Sequence, residues 1–448
     1  MGTAATGGDT PGLLGALRWL PRGLRSPAAL RARWGIVDQG ISSFTNFAVT
    51  AVVAHQVDPA AFGAFSVALT MYICVLWVAR SMVGEPFVVR MTASSVAAQI
   101  TAAGDAMGTA VAIGLATGGA AVTLGLLLGG VTGRALAAMG LFLPVLLAQD
   151  AERYVLMARG RARGAAANDA TWAVVQFAVT ALLLLVHRAD GTWLTVAFGT
   201  GAAAGAVVGI GQIGSRPTLS RTRTWLHDRA EEWVAFLLEL LTVNATPQLS
   251  MLAVAALGQV VVVGAVKAGM FLFAPLSVLF SGLYLVALPE AVRLRARTLS
   301  GLKVFVVSLA VGMSALTFAW AGAVALVPAS LGRALLGANW ASGRAVLWPV
   351  AALTAASATI LSSIVGLRAL GVARQTIRVR IWIGPVVFVS GIVGAELGGA
   401  LGTATALAIS SWLSAGLSWF VLRRSLAAAT LGAAAPAPLL DSLAGQWT

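Results

Sequence analysis

Charged side chains are scarce in this sequence. Only 10% of its 448 residues are Asp, Glu, Lys or Arg, where a soluble globular domain carries roughly a quarter. That shortage excludes a sizeable water-facing domain. Cysteine occurs once, as Cys74 inside an apolar run, so no internal disulfide is possible and the residue reads as a small packing side chain. His55, His187 and His227 are isolated from one another and give no metal cluster. No Gly-Lys pair occurs, hence no P-loop and no ATP hydrolysis, and there is no Gly-x-Ser-x-Gly elbow. Gly209-Ile-Gly211-Gln-Ile-Gly214 has dinucleotide-binding spacing, but no strand precedes it and no βαβ unit follows. Gly201, Gly205 and Gly209, four residues apart, read instead as a face for close helix packing. The expectation is a protein with no cofactor, no metal and no enzymatic activity.

Apolar residues make up 58% of the chain, and the mean hydropathy is +0.88. Apolar runs of eighteen or more residues recur from end to end, each long enough to cross a hydrocarbon core about 30 Å thick. Backbone polar groups in lipid must be satisfied internally, so only helices or a closed barrel qualify. The runs are continuous rather than alternating and rich in Ala, Leu and Gly, which selects helices. About twelve spans are expected: 35–55, 62–84, 106–129, 135–157, 168–187, 193–214, 233–256, 259–288, 302–328, 344–367, 377–396 and 399–422. Residues 85–104 are short and mixed and are expected to run along the cytoplasmic surface.

The net charge of +14 raises nucleic acid as a partner, but the distribution of charge excludes it. Lys267 and Lys303 are the only lysines; the other basic residues are arginine, a skew that fits a GC-rich genome. With the N-terminus inside, the inner segments hold twenty-five basic residues and the outer loops only Arg134, Arg188, Arg333 and Arg344, while Lys267 falls within a span. This bias puts both termini in the cytoplasm. Residues 1–33 form a basic tail with Pro21 and Pro27 and no cleavable signal; it is either an interfacial segment or disordered. Two six-helix lobes, 34–214 and 233–424, follow, joined by a cytoplasmic linker at 215–232 and trailed by a disordered tail at 425–448.

An internal repeat underlies the two lobes. At an offset of 201, Asp38 meets Glu239, and Phe62-Gly63-Ala64-Phe65 meets Val263-Gly264-Ala265-Val266. After a drift of four residues, Glu85 and Arg90 meet Glu290 and Arg295. Six spans per half give both halves the same orientation, hence parallel repeats about an axis along the membrane normal.

Ionisable residues within spans cost roughly 2.5–3.5 kcal/mol on insertion scales, so they usually face a bundle interior or a wet cavity. Lys267 stands about two turns into the eighth span, where it either lines a central cavity or snorkels to the outer interface. Asp38 and Asn46 belong to a polar stripe on the first span, answered on the seventh by Glu239, Asn244 and Gln248 with the helix-weakening Pro247 between them. These residues line a cavity or form plain interhelix hydrogen bonds. Arg80, Glu85, Asp150 and Arg153 sit at the inner ends of the second and fourth spans, as a cytoplasmic gate of ion pairs or as markers of the headgroup boundary.

The segment Trp34-Gly35-Ile36-Val37-Asp38-Gln39-Gly40-Ile41-Ser42-Ser43-Phe44-Thr45-Asn46-Phe47 resembles the opening helix of actinobacterial polysaccharide-biosynthesis flippases. These are Wzx-like members of the multidrug/oligosaccharidyl-lipid/polysaccharide exporter superfamily. The resemblance continues through Phe62-Gly63-Ala64-Phe65, Ala79-Arg80-Ser81-Met82-Val83-Gly84-Glu85-Pro86, Gln149-Asp150 through Arg161, and Pro275 through Glu290. It implies a V-shaped, MATE-like fold in the bacterial cytoplasmic membrane that moves a polyprenyl-pyrophosphate-linked glycan outward by alternating access. It also implies a monomer with membrane lipids and glycan-assembly proteins as partners, and Lys267 as the residue meeting the anionic headgroup. Two departures stand out: one strongly basic residue lies deep in a span, and the extra two spans usual in the lipid II flippase branch are not evident. A cation-coupled exporter using Asp38 and Glu239 is the alternative on the same fold; a membrane glycan polymerase or ligase has too few outer-loop residues.

Overall fold

The computed structural model describes residues 27–92, 94–240, 246–372 and 374–430. The fold is all-α, and among the described residues nine helices are long and apolar enough to cross a membrane. This is a multi-pass membrane protein. The first helices are α1 (Pro27–Gln56), α2 (Pro59–Ala79), α3 (Glu85–Met91), α4 (Val96–Leu128), α5 (Gly130–Ala158), α6 (Ala162–Leu185) and α7 (Gly191–Ile213). The short α8 (Thr222–Asp228) leads into α9 (Ala230–Leu240), α10 (Thr246–Ala256), α11 (Val260–Leu272), α12 (Ala274–Arg297) and α13 (Leu299–Ala325). Two short helices, α14 (Ala329–Leu336) and α15 (Asn339–Ala345), precede α16 (Leu347–Leu370) and α17 (Arg374–Thr430).

Local chemistry sets the ends. Asp58 caps α2 by accepting from the Ala60 and Ala61 amides at 2.8 and 2.9 Å, with Pro59 in the first turn, where its missing N–H costs nothing. Gly129 and Gly130 both carry positive φ, which lets α4 and α5 fold back on each other in a tight hairpin. The 57-residue α17 is two helices: Gly398 and Gly399 leave helical geometry, and the backbone doubles back so that Gly394 and Gly402 touch. The expected spans 377–396 and 399–422 therefore fall on either side of one glycine turn.

Other expected spans are broken. The 233–256 span is shared by α9 and α10, with residues 241–245 outside the described ones. The 259–288 span divides at Phe273, where Pro275 stands in the first turn of α12 and Trp320 Nε1 donates to the Leu272 carbonyl at 2.8 Å. The surface segment expected at 85–104 does not form. Glu85–Met91 continue the line of α2 through a π-helical turn, Arg80–Gly84, and α4 has begun by Val96. The physical reason is Pro86, which cannot donate to the Met82 carbonyl four residues back. The helix widens there instead of stopping, and Trp225 Nε1 of α8 supplies the missing donor at 3.1 Å. Trp225 is buried, stacked on Phe87 and covered by the Arg229 guanidinium 3.6 Å from its ring. The segment joining the two halves is thereby seated on the end of α2.

Within the first half, α1 packs on α6, α2 and α7 on α5, α4 on α5 and α6 on α7; within the second, α16 packs on α13, α12 and α17, and α10 on α17. The halves meet chiefly where α2 crosses α11. A Cβ on Gly264 would lie 2.8 Å from the Gly63 Cα, so the two backbones touch at these glycines. Gly63 and Gly264 are the two glycines that the sequence offset of 201 sets in register. Two further ties lie at the same end. Asn339 Nδ2 donates to the Ala54 and Val57 carbonyls at 2.8 and 3.0 Å, and Phe47 stacks on Phe271 at 4.5 Å between centroids. Among the described residues the arginines at this end are Arg134, Arg188, Arg333 and Arg344, and it is called the arginine-poor face. Toward the opposite, arginine-rich face, α12 and α13 make no broad packing with α1–α7 among the described residues. On that side the halves are joined instead through α9, which packs on the Arg80–Gly84 turn and α3, with Arg90 paired to Glu232.

Candidate functional site

Lys267 sits seven residues into α11, about 10 Å below the arginine-poor end at 1.5 Å per residue. Its Nζ donates to Gln248 Oε1 of α10 at 2.8 Å, so two of the expected site residues are brought together. One turn further, on the same face, Phe271 stacks on Phe47, the neighbour of Asn46. Lys267 therefore lies on the face of α11 that turns toward the first half. Asn46 is exposed, and with Thr45, Asp169 and Trp172 it lines a crevice along the seam of α1 and α6. Asn244 lies outside the described residues, as do the side chains of Asp38 and Glu239.

A second polar assembly fills the first half. Arg80 binds Asp150 through two bonds, Nη2 to Oδ1 at 2.6 Å and Nε to Oδ2 at 2.9 Å. Arg153 lies 3.6 Å from Asp150 and 3.1 Å from Asp169 of α6. Gln149 Nε2 donates to Asn168 and Asp169 at 2.9 Å, and Asn168 Nδ2 donates to Glu152 at 3.3 Å. Two arginines thus meet two aspartates across α2, α5 and α6, which compensates the cost of removing those charges from water. Glu152 is fully buried, and its second oxygen has no hydrogen-bond partner among the described residues. Gln176, also fully buried, has neither amide atom paired there. Glu85 stands one turn beyond Arg80, half-buried and with an interaction of its own. All four residues expected as a gate belong to the first half.

The glycine face of α7 makes this assembly possible. A Cβ at Gly201 would strike Trp172 and Gln176, one at Gly205 would lie 2.9 Å from Asn168 Oδ1, and one at Gly209 would overlap the Glu152 carboxylate. Gly201, Gly205 and Gly209 thus form a packing face shaped around buried polar groups, whereas a Cβ at Gly211 or Gly214 of the dinucleotide-like spacing would meet nothing within 4 Å.

Sequence reading overlooked Asn168 and Asp169 because they fall at the edge of the expected 168–187 span, where polar residues are ordinary. The helix starts six residues earlier, at Ala162, which carries both into the interior against α5. Their adjacency to a polar cluster one helix upstream was the only available signal.

Neither the family models nor the curated proteins contain a match to this chain. Solved structures do match. An inward-facing multidrug resistance MATE family transporter of the MOP superfamily is similar at 10% identity and a TM-score of 0.65, covering 89% of this chain and 100% of that one. An outward-facing MATE structure is similar at 12% identity and a TM-score of 0.55, covering 90% and 97%. The lipid II flippase MurJ, in an inward closed conformation, is similar at 12% identity and a TM-score of 0.61, covering 86% and 87%. The chain has the MATE-like fold that these proteins share.

Proposed function

On the premise of that shared fold, we propose that this chain is a non-enzymatic transporter that flips a polyprenyl-pyrophosphate-linked oligosaccharide across the bacterial cytoplasmic membrane for surface polysaccharide export. The observation that carries the reading is the close crossing of α2 and α11 at Gly63 and Gly264, with α12 and α13 standing apart from α1–α7 toward the other face among the described residues. Such a body opens to one side at a time by rocking about that crossing. The positive-inside bias makes the arginine-rich face cytoplasmic, with both termini there, so this conformation faces inward. The greater likeness to the inward-facing MATE structure than to the outward-facing one supports that assignment.

The division of labour follows from chemistry. A pyrophosphate needs a cationic, hydrated path while the polyprenyl tail stays in lipid between the lobes. Lys267, held by Gln248 on the wall facing the first half, supplies the cation, and Asn46 of α1, beside Phe47, adds a polar group from the first half. The Arg80–Asp150–Arg153–Asp169 chain is a strut within the first lobe; a gate needs a partner from the opposite lobe as well. The lobe boundaries are the 34–214 and 233–424 segments, and the protein works as a monomer without nucleic acid. Deleting the chain strands lipid-linked glycan on the inner leaflet, measurable by leaflet-specific lectin labelling of vesicles; normal display of every surface polymer sinks the proposal.

Buried carboxylates in the first lobe favour one second reading, a cation-coupled exporter of drugs or metabolites in which Asp38, Glu239 and Glu152 take part. Cation-driven dye efflux by reconstituted protein, lost in Asp38→Asn, selects it over the flippase.

A further inference from the structure

The arginine-poor face carries few basic residues, and two of its four arginines converge. Arg333 of α14 and Arg344 of α15, with Ala329, Gly337, Ala338 and Trp340, line a concavity of about 430 Å3. Positive charge on this face needs a counter-ion, and among the described residues no carboxylate pairs with Arg333 or Arg344. No Asp or Glu occurs between Glu290 and Glu396. Of the acids at this end, Asp58 and Asp190 cap helices, and Glu396 accepts from Gln259 at 2.7 Å. Arg344 spends one nitrogen on the Ala325 carbonyl at 2.8 Å, and Arg333 has no partner among the described residues. Trp340, only 4% exposed, adds an indole N–H with no acceptor among those residues. Two converging guanidinium groups with no carboxylate partner among the described residues mark a place for an anion.

A second feature continues from the first. Three residues beyond Ala345, at the rim of the concavity, Trp348 opens a groove of about 560 Å3 lined by Trp348, Pro349, Ala352, Ile409, Trp412 and Leu413 among others. These residues follow the first turns of α16 and the second half of α17 inward from the arginine-poor end. The lining is almost wholly apolar, and two of its members are exposed tryptophans, the residue type that settles at membrane interfaces.

We infer that α14, α15 and the outer part of α16–α17 form a binding site for an anionic diacyl phospholipid of the leaflet on the arginine-poor face. Its phosphate sits between Arg333 and Arg344, and an acyl chain lies in the Trp348–Trp412 groove. The site has a consequence for conformation. The same short helices carry Asn339, which grips the carbonyls of Ala54 and Val57, and Gly337, which lies against the His55 carbonyl. A lipid that steadies α14 and α15 therefore favours the state in which this end is closed, by linkage.

The test uses the full chain in detergent, read by native mass spectrometry and by thermal midpoint. The probes are phosphatidylglycerol, phosphatidylcholine and a polyprenyl phosphate. Phosphatidylglycerol is expected to remain bound and to raise the midpoint well above phosphatidylcholine. R333Q, which loses no bond within the protein, should weaken that binding by about tenfold. R333Q/R344Q should abolish it, and R134Q/R188Q should keep it. Equal retention of both phospholipids overturns the inference, as does full binding by folded R333Q or a loss of binding in R134Q/R188Q. Preferential retention of polyprenyl phosphate also overturns it, because the groove then serves the carrier rather than a bilayer lipid. The readout involves no transport, so its failure leaves the flippase proposal standing.

Discussion

Lys267 is the residue on which the proposed flippase chemistry turns. Burying a lysine within a span costs several kcal/mol, and a single bond to Gln248 does not offset that cost. What remains is a functional demand, which we locate in the anionic headgroup. Lys267→Ala is expected to lower glycan export at least tenfold while leaving the thermal midpoint unchanged or higher, whereas Lys267→Arg keeps part of the activity. Unchanged export in Lys267→Ala would mean that the side chain only snorkels. Gly209 is the opposite kind of residue, needed for what it lacks. Gly209→Val pushes a side chain into the Glu152 carboxylate and should destabilise by about 1–3 kcal/mol, seen as a lower unfolding midpoint in detergent. Gly211, whose added Cβ meets nothing within 4 Å, is the control: Gly211→Ala should leave the midpoint in place.

At the scale of elements, the junction of α2, α3 and α8 explains why a proline after a span did not end the helix. Pro86 leaves the Met82 carbonyl without its usual donor, and Trp225 of the connecting segment provides one. The seating of the segment between the lobes is thus coupled to a defect in α2. Trp225→Phe keeps the ring but removes the donor, at a cost of about 1–3 kcal/mol for the orphaned carbonyl. Pro86→Ala restores a backbone N–H. The double variant should therefore lose less stability than the sum of the single losses, and a thermodynamic cycle of the four proteins measures the coupling. Strict additivity would show that the indole N–H has no bearing on the carbonyl. The same junction carries Arg90, which pairs with Glu232 of α9, so the first turns of the second half are tied to the end of α3.

For the whole molecule, the proposed alternating access puts its pivot at the Gly63–Gly264 crossing. The backbones touch there because neither residue has a side chain, and nothing bulkier fits. Gly264→Val is expected to force the arginine-poor ends apart and shift the population toward the state open on that face. Spin labels placed near the ends of α1 and α15 should report a longer distance than in the unmodified protein. An unchanged distance would place the pivot elsewhere. A Cβ on Gly63 would strike the Val260 carbonyl oxygen, so Gly63→Val should act in the same direction.

Hydropathy and charge were sufficient to place helices in a membrane, since an apolar run of membrane length has no other way to satisfy its backbone in lipid. The arginine bias, the offset of 201 and the scarcity of ionisable groups raised paired halves and Lys267 as expectations, and these stand as proposals. Other features depended on which helices become neighbours. The strut between Arg80, Asp150, Arg153 and Asp169 joins residues up to 89 positions apart on three helices, and no local rule reports such a meeting. The rescue of Met82 by Trp225, the meeting of Gly63 with Gly264 and the convergence of Arg333 with Arg344 have the same origin. Composition sets the cost of leaving each group in lipid or exposed to water; only the packed helices determine which partner meets it.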